Sequence, residues 1–296
     1  MATIPWYEKN MMQSSNKVQF LLLLLLLLPL FPLCTRANQP VHDGFSGAGR
    51  AGILREAVFT NPAALALLTG SYGFGYFTKT RLVNLDSGGR DLTVGAMDGD
   101  NEYAKAAFAY EREARAGINA AGASYFDRTQ MRLGIGRMLT PSLGAGITGK
   151  YIVRRNGAAE TKKMDGDAGV FYPVMNDMML GLTYENFVNV ETENPTVIGA
   201  GVKYNVIPAL GLFADAARIT KGNNKGKYSW STAFEVSMMG DLFLRAGLFK
   251  DFVNGTKGKS IGLTWAGPRT SFDYSMHLIQ TGVREKSQTL GVTFQL

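Results

Sequence analysis

Cysteine is nearly missing from this chain, which has one, Cys34, and only two histidines, His42 and His277, in 296 residues. One thiol closes no disulfide within the chain and supplies no metal cage, and two imidazoles leave little for metal ligation or proton transfer. Nor is there an HExxH, GxSxG or phosphate-loop pattern. Asp273, Ser275 and His277 share one face of an alternating stretch. Residues two apart on a strand stand roughly 6.5 to 7 Å apart along it, too far for a catalytic relay without partners from another strand. The expectation is a protein that is not an enzyme and carries no metal and no cofactor. Charge is also sparse, 19% of residues against 46% hydrophobic, with 24 acidic residues outnumbered by 31 basic ones. The excess sits in polar stretches that carry Arg154, Arg155, Lys162, Lys163, Lys221, Lys225, Lys227, Lys257 and Lys259, without interleaved aromatics. That pattern argues against nucleic acid and for contact with lipopolysaccharide phosphates.

Long apolar runs are absent too, with one exception. Lys17 precedes VQFLLLLLLLLPLFPL at 18–33, and Thr35 and Ala37 follow at the spacing a signal peptidase reads. The run is shorter than the roughly 20 apolar residues of a membrane-spanning helix and holds two prolines, so residues 1–37 read as a cleaved secretory signal, with an uncleaved anchor as the rival. Met11 or Met12 is an alternative start. Cys34 follows Phe31, Pro32 and Leu33, side chains too bulky for a lipoprotein signal, and reads as a bystander.

What is present in quantity is glycine, 35 residues, with 17 Phe and 12 Tyr, arranged with period two. In YSWSTAFEVSM, SIGLTWA and TSFDYSMHLI an apolar, often aromatic face alternates with Gly, Ser, Thr and scattered charge. A soluble sandwich would also show this alternation, but connection length separates the two. Short turns at 139–143, 172–177, 206–210, 238–241 and 266–270 alternate with longer polar stretches at 153–166, 187–196, 219–227, 252–260 and 283–288. Short and long connections in turn are the mark of an all-β, antiparallel up-and-down transmembrane barrel over residues 70–296, in the outer membrane of a Gram-negative bacterium. The count is about 14 strands, with 12 or 16 as alternatives, the weak part being 82–126. The closing stretch TLGVTFQL is expected to pair with the first strand and leave no sheet edge.

If the aromatic faces point outward, parity turns Lys105, Glu111, Arg132, Lys150, Glu185, Lys203, Asp215, Glu235, Arg245, Asp273 and His277 into the lumen. Mutual salt-bridging along the wall is the simpler expectation for them, a selectivity constriction the other. Gly134, Gly136, Gly144 and Gly146 also face inward and leave room there. Ahead of the first strand, 44–68 has no period-two pattern: it is glycine-rich, then helix-permissive, broken at Asn61-Pro62 and apolar after it. Such a segment needs burial, and the lumen is the available place, which makes 38–69 an N-terminal hatch or plug.

With Gly49, Arg50, Ala51 and Gly52 followed by Asn61, Pro62 and Ala63, this segment resembles the hatch of the outer-membrane long-chain fatty-acid transporter (FadL/TodX-like) superfamily, as a small PorV-like member. The last residues resemble the signal read by the outer-membrane assembly machinery, with Gly291, Phe294 and Leu296 in its places. The resemblance implies passive uptake of small hydrophobic solutes, which meet the hatch and leave sideways through the wall. Two rival classes stay open, a structural or partner-binding barrel and a general polar porin. The partners implied are lipid, lipopolysaccharide, the assembly machinery and a small hydrophobic ligand.

Overall fold

The computed structural model describes residues 45–51, 56–82, 88–119, 122–157, 159–188, 195–222, 224–252, 255–280 and 284–296. The expected signal segment at 1–37, residues 38–44, and Gly52 lie outside the described residues.

Fourteen antiparallel strands close into one barrel in which each pairs with its neighbours in sequence. They are β1 (Ser71–Leu82), β2 (Gly88–Asp98), β3 (Lys105–Asn119), β4 (Gly122–Thr140), β5 (Leu143–Asn156), β6 (Ala159–Met175) and β7 (Met178–Glu185). The circuit continues with β8 (Thr196–Ile207), β9 (Leu210–Lys221), β10 (Tyr228–Met238), β11 (Leu242–Asp251), β12 (Thr256–Ala266), β13 (Thr270–Gln280) and β14 (Arg284–Gln295). β14 pairs with β1 from Tyr72↔Gln295 to Leu82↔Glu285, and the Leu296 N–H donates to the Ser71 carbonyl at 2.9 Å. The last strand therefore closes the sheet as expected, and its backbone groups are satisfied.

Alternation sorts the side chains. Along β9, Phe213, Asp215, Ala217 and Ile219 are buried while Leu212, Ala216 and Arg218 are exposed, and β1, β2 and β10 alternate in the same way, whereas the first six residues of β6 are all exposed. The exposed set is apolar: Leu133, Ile135 and Ile147 on β4 and β5, Leu182 on β7, Leu248 on β11 and Leu290 on β14. A sheet that shows water such a face would aggregate; facing lipid, the same face is what a transmembrane barrel requires. No helix among the described residues is long and apolar enough to cross a bilayer.

The short turns stand where expected, at 141–142, 176–177, 208–209, 239–241 and 267–269. The opposite end, here called the rim, corrects the loop reading. Residues 153–166 are not a loop: β5 runs to Asn156, β6 starts at Ala159, and Gly157, at φ +60, turns the chain between them. Much of 283–288 is likewise strand, and the expected loops at 219–227 and 252–260 shrink to 222–227 and 252–255. Above a membrane both faces of a strand meet water, so the alternation fades and a strand reads as a polar loop.

This makes the wall uneven. β3, β4, β5 and β6 have 15, 19, 14 and 17 residues, whereas β7 has 8. At roughly 3.3 Å per residue, β4 is about 60 Å long and β7 about 25 Å. On the outer face of the tall side, Tyr110, Met131, Tyr151 and Met164 stand in one register row. The rows above it hold Arg112, Thr129, Val153 and Lys162, then Ala114, Asp127, Arg155 and Glu160. The change from apolar to charged places the edge of the lipid-facing band between Tyr110 and Arg112.

Candidate functional site

The two described pieces ahead of β1 sit against the inner wall. Residues 45–51 are irregular; Ala57–Thr60 forms one helical turn and Pro62–Leu67 a 3₁₀ helix. Asn61 between them is extended, at φ −150 and ψ 106, as a residue before proline prefers, and Pro62 takes the first helical position, where a missing N–H costs nothing. The Asn61 side chain makes three hydrogen bonds. Its Oδ1 accepts from the Ala63 N–H at 3.1 Å and caps the helix, and its Nδ2 donates to the carbonyls of Arg50 at 2.8 Å and of Val170 on β6 at 3.2 Å. One fully buried amide thus ties both pieces to each other and to the wall.

Arg50 is the second tether. Its Nη2 donates to Glu185 Oε1 at 2.8 Å, its Nε donates to the same oxygen at 3.0 Å and to Thr183 Oγ1 at 3.1 Å, and its Nη1 lies 3.3 Å from Asp215 Oδ2. The backbone N–H groups of Gly49 and Arg50 both donate to Asp215 Oδ2 at 3.0 Å. A third polar contact joins Ser46 Oγ to Ser260 Oγ on β12 at 2.7 Å. Ser46 has φ +53, a left-handed conformation unusual for a residue with a side chain, so the wall holds this backbone turn in place.

Apolar packing does the rest. Ala57, Val58, Leu65 and Leu68 cluster with Phe74 and Tyr76 of β1, Met97 of β2 and Ala107 and Ala109 of β3. Ala63 and Ala66 pack on Phe171, with Met138 and Met179 around them, while Phe45 and Ala48 meet Phe213 and Ala233. The glycines make the seat. A Cβ at Gly136 would lie 2.7 Å from the Pro62 carbonyl oxygen, and Cβ atoms at Gly134, Gly146, Gly169, Gly181, Gly199 and Gly247 would meet Val58, Pro62, Asn61, Arg50 or Phe45 at less than contact distance. Gly144 departs from this use: its space is filled by the Phe171 ring, not by the hatch segment.

Glu111, Lys150, Asp215, Arg245, Asp273 and His277 are buried and Lys105, Arg132, Glu185, Lys203 and Glu235 partly so, and not all of their ion pairs run along the wall. Arg132 pairs with Glu111 at 2.8 Å and lies 3.7 Å from Asp167, Lys150 pairs with Asp167 at 2.5 Å, and Arg245 pairs with Glu235 at 2.6 Å. Glu185 and Asp215, by contrast, are paired with Arg50, which comes from outside the strands. Asp273 accepts from the Thr264 hydroxyl, which itself accepts from Arg245 Nη1. Lys105 donates to the Gly99 carbonyl, Lys203 lies 5.4 Å above the Phe213 ring, and His277 packs edge-on to Phe249 at 5.2 Å. Ser275 Oγ makes no hydrogen bond among the described residues, so it does not link Asp273 to His277. Gly291 is buried, while Phe294 and Leu296, 50% and 79% exposed, stand on the outer face and at the chain end.

The ion-pairing role of Arg50 and the glycines of β6 to β8 are what sequence reasoning passed over. A lone charge in an uncharged Gly/Ala stretch assigned to the lumen demands a buried counter-charge, and that signal was there to read.

No family model matches the chain, and no curated protein matches its sequence. Solved structures do. A CymD monoaromatic hydrocarbon channel superposes with a TM-score of 0.72 at 13% identity, covering 88% of this chain and 98% of its own. The Pseudomonas putida toluene transporter TodX superposes at 0.64 with 10% identity, covering 89% and 98%. A Pseudomonas aeruginosa FadL homologue gives 0.64 at 10%, covering 90% and 100%. At such identities the likeness shows the fold, a closed 14-stranded barrel similar to outer-membrane channels.

Proposed function

We propose that the protein is a passive outer-membrane channel for small hydrophobic solutes, monoaromatic molecules among them, with residues 38–69 as its movable hatch. The observation that carries this is the manner of seating. An apolar segment lies against the inner wall through side chains that touch rings and glycines, with polar tethers to strand residues from Ser46, Gly49, Arg50 and Asn61. A segment held mainly by shape can be displaced by a solute of like shape and polarity. The wall rings of Phe74, Phe171 and Phe213 would offer an aromatic solute the surface they now offer the hatch. The folds of the CymD monoaromatic hydrocarbon channel and the toluene transporter TodX support the same reading. A segment packed against the inner wall weighs against a polar porin that conducts steadily. The sideways exit implied by the family would have to open at a weak place in the wall. Every neighbouring pair is laddered, and the register shifts fall at β4/β5, β6/β7 and β8/β9.

One observation favours a second reading, a small PorV-like partner-binding barrel: the tall side stands above the lipid-facing band and ends in exposed Arg112, Arg155 and Lys162. Lipopolysaccharide phosphates are the expected neighbours of that belt, and Gly291, Phe294 and Leu296 the expected contact for the assembly machinery. Uptake of labelled toluene by Gram-negative cells without other hydrocarbon channels tests the lead. Expression should raise the rate and Pro62→Ala should lower it; a rate equal to empty vector, at normal outer-membrane levels, would favour the partner-binding barrel.

A further inference from the structure

We infer that the path opened by hatch movement is charge-selective: it passes neutral and cationic solutes and excludes anions, carboxylates in particular. This rests on the proposed hatch movement and concerns what that movement uncovers. All hydrogen bonds described at the Asp215 carboxylate come from the hatch, two from the Gly49 and Arg50 backbones and one from the Arg50 guanidinium, and all of them land on Oδ2. Its Oδ1 is buried with no hydrogen-bond partner among the described residues. Among the described residues Glu185 is ion-paired to Arg50, with the Thr183 hydroxyl as its other hydrogen-bond donor.

The neighbouring wall cations Lys150 and Arg132 also act on Glu185, but each is bonded to another carboxylate. Lys150 holds Asp167 and the Asn186 side chain, and Arg132 holds Glu111. Lys203 lies against the Phe213 ring. When the hatch leaves, Arg50 leaves with it, and two carboxylates on β7 and β9 face the passage without their counter-charge. Carboxylates around a constriction attract cations and repel anions, most strongly where the walls are of low dielectric. An aromatic amine or a neutral ring would pass this point; a benzoate or a fatty-acid carboxylate would be turned back.

Planar-bilayer recording on the full-length mature chain tests the inference, with heat-modifiable gel migration as the control for folding. Wild type should conduct rarely. Arg50→Ala leaves Glu185 and Asp215 facing an uncharged plug, so openings should become frequent, with a reversal potential in a KCl gradient that favours K⁺ over Cl⁻ by about fivefold or more. Adding Glu185→Gln and Asp215→Asn to Arg50→Ala should abolish the preference. A merely loosened plug would conduct without any preference. Should Arg50→Ala fail to fold, Glu185→Gln/Asp215→Asn alone serves: Arg50 still leaves with the hatch, neither carboxylate remains at the opened point, and openings should lack the K⁺ preference of the rare wild-type openings. Equal passage of both ions in Arg50→Ala, or a K⁺ preference that survives loss of both carboxylates, overturns the inference. A selective Arg50→Ala current together with absent toluene uptake would leave the filter standing and remove the transport reading.

Discussion

The hatch is held in two unlike ways on two parts of the wall. Towards β7 and β9 it is held by charge: one guanidinium, two carboxylates and two backbone N–H groups converge within hydrogen-bond distance. Towards β4, β5 and β6 it is held by shape: the Pro62–Leu67 helix lies in a saddle that exists because Gly134, Gly136, Gly146 and Gly169 have no side chains. The charge site is directional and costly to leave half-made, since a buried carboxylate without its partner is worse than no pair at all. The saddle has no such threshold; its contacts weaken gradually and an apolar solute can replace them. The difference teaches where movement starts. A hydrophobic solute competes at the saddle, while the charge site sets the resting position and the register in which the hatch returns.

Breaking the charge site should have the largest effect. Arg50→Ala strands Glu185 and Asp215 and should destabilise the seated hatch by about 3 to 5 kcal/mol, read as protease cleavage within 45–68 at concentrations that leave wild type intact. Filling the saddle comes next. Gly146→Val drives a branched side chain into the Pro62 backbone and should cost about 1 to 3 kcal/mol, lowering the temperature at which the folded gel band is lost or raising hatch cleavage. Asn61→Ala touches both sites through one amide. It removes the helix cap and leaves the Arg50 carbonyl without its Asn61 donor, for about 1 to 2 kcal/mol, and should give the smallest rise in cleavage. If Asn61→Ala exceeded Arg50→Ala, the ordering of charge over capping would be wrong.

Much of this was legible before any coordinates. Strands such as β10, β12 and β13 announce themselves because, between lipid and lumen, a period-two pattern is the only one that satisfies both faces. The same physics hides the rim: in 153–166 both faces meet water, Lys162 and Lys163 follow one another, and a hairpin reads as a loop. Asn61, Pro62 and Ala63 stood out because they break the pattern. Parity placed Glu185 and Asp215 in the lumen but gave no hint of their partner, because parity describes one strand and Arg50 is 135 and 165 residues away from them. The glycines of β6 to β8 were visible as a column of small inward residues; that they were a seat depended on knowing what sat there.

Locking the hatch tests the central claim most directly. Ser46 Oγ and Ser260 Oγ, 2.7 Å apart, are placed for a disulfide in Ser46→Cys/Ser260→Cys, and Cys34, the one native cysteine, falls in the expected signal segment. Uptake of labelled toluene by cells with this variant should stop when the pair is oxidised and return to the wild-type rate on reduction. Uptake that continues at full rate through the oxidised barrel, with the disulfide shown by mass spectrometry, would contradict the account, because the solute would then be passing a hatch that does not move.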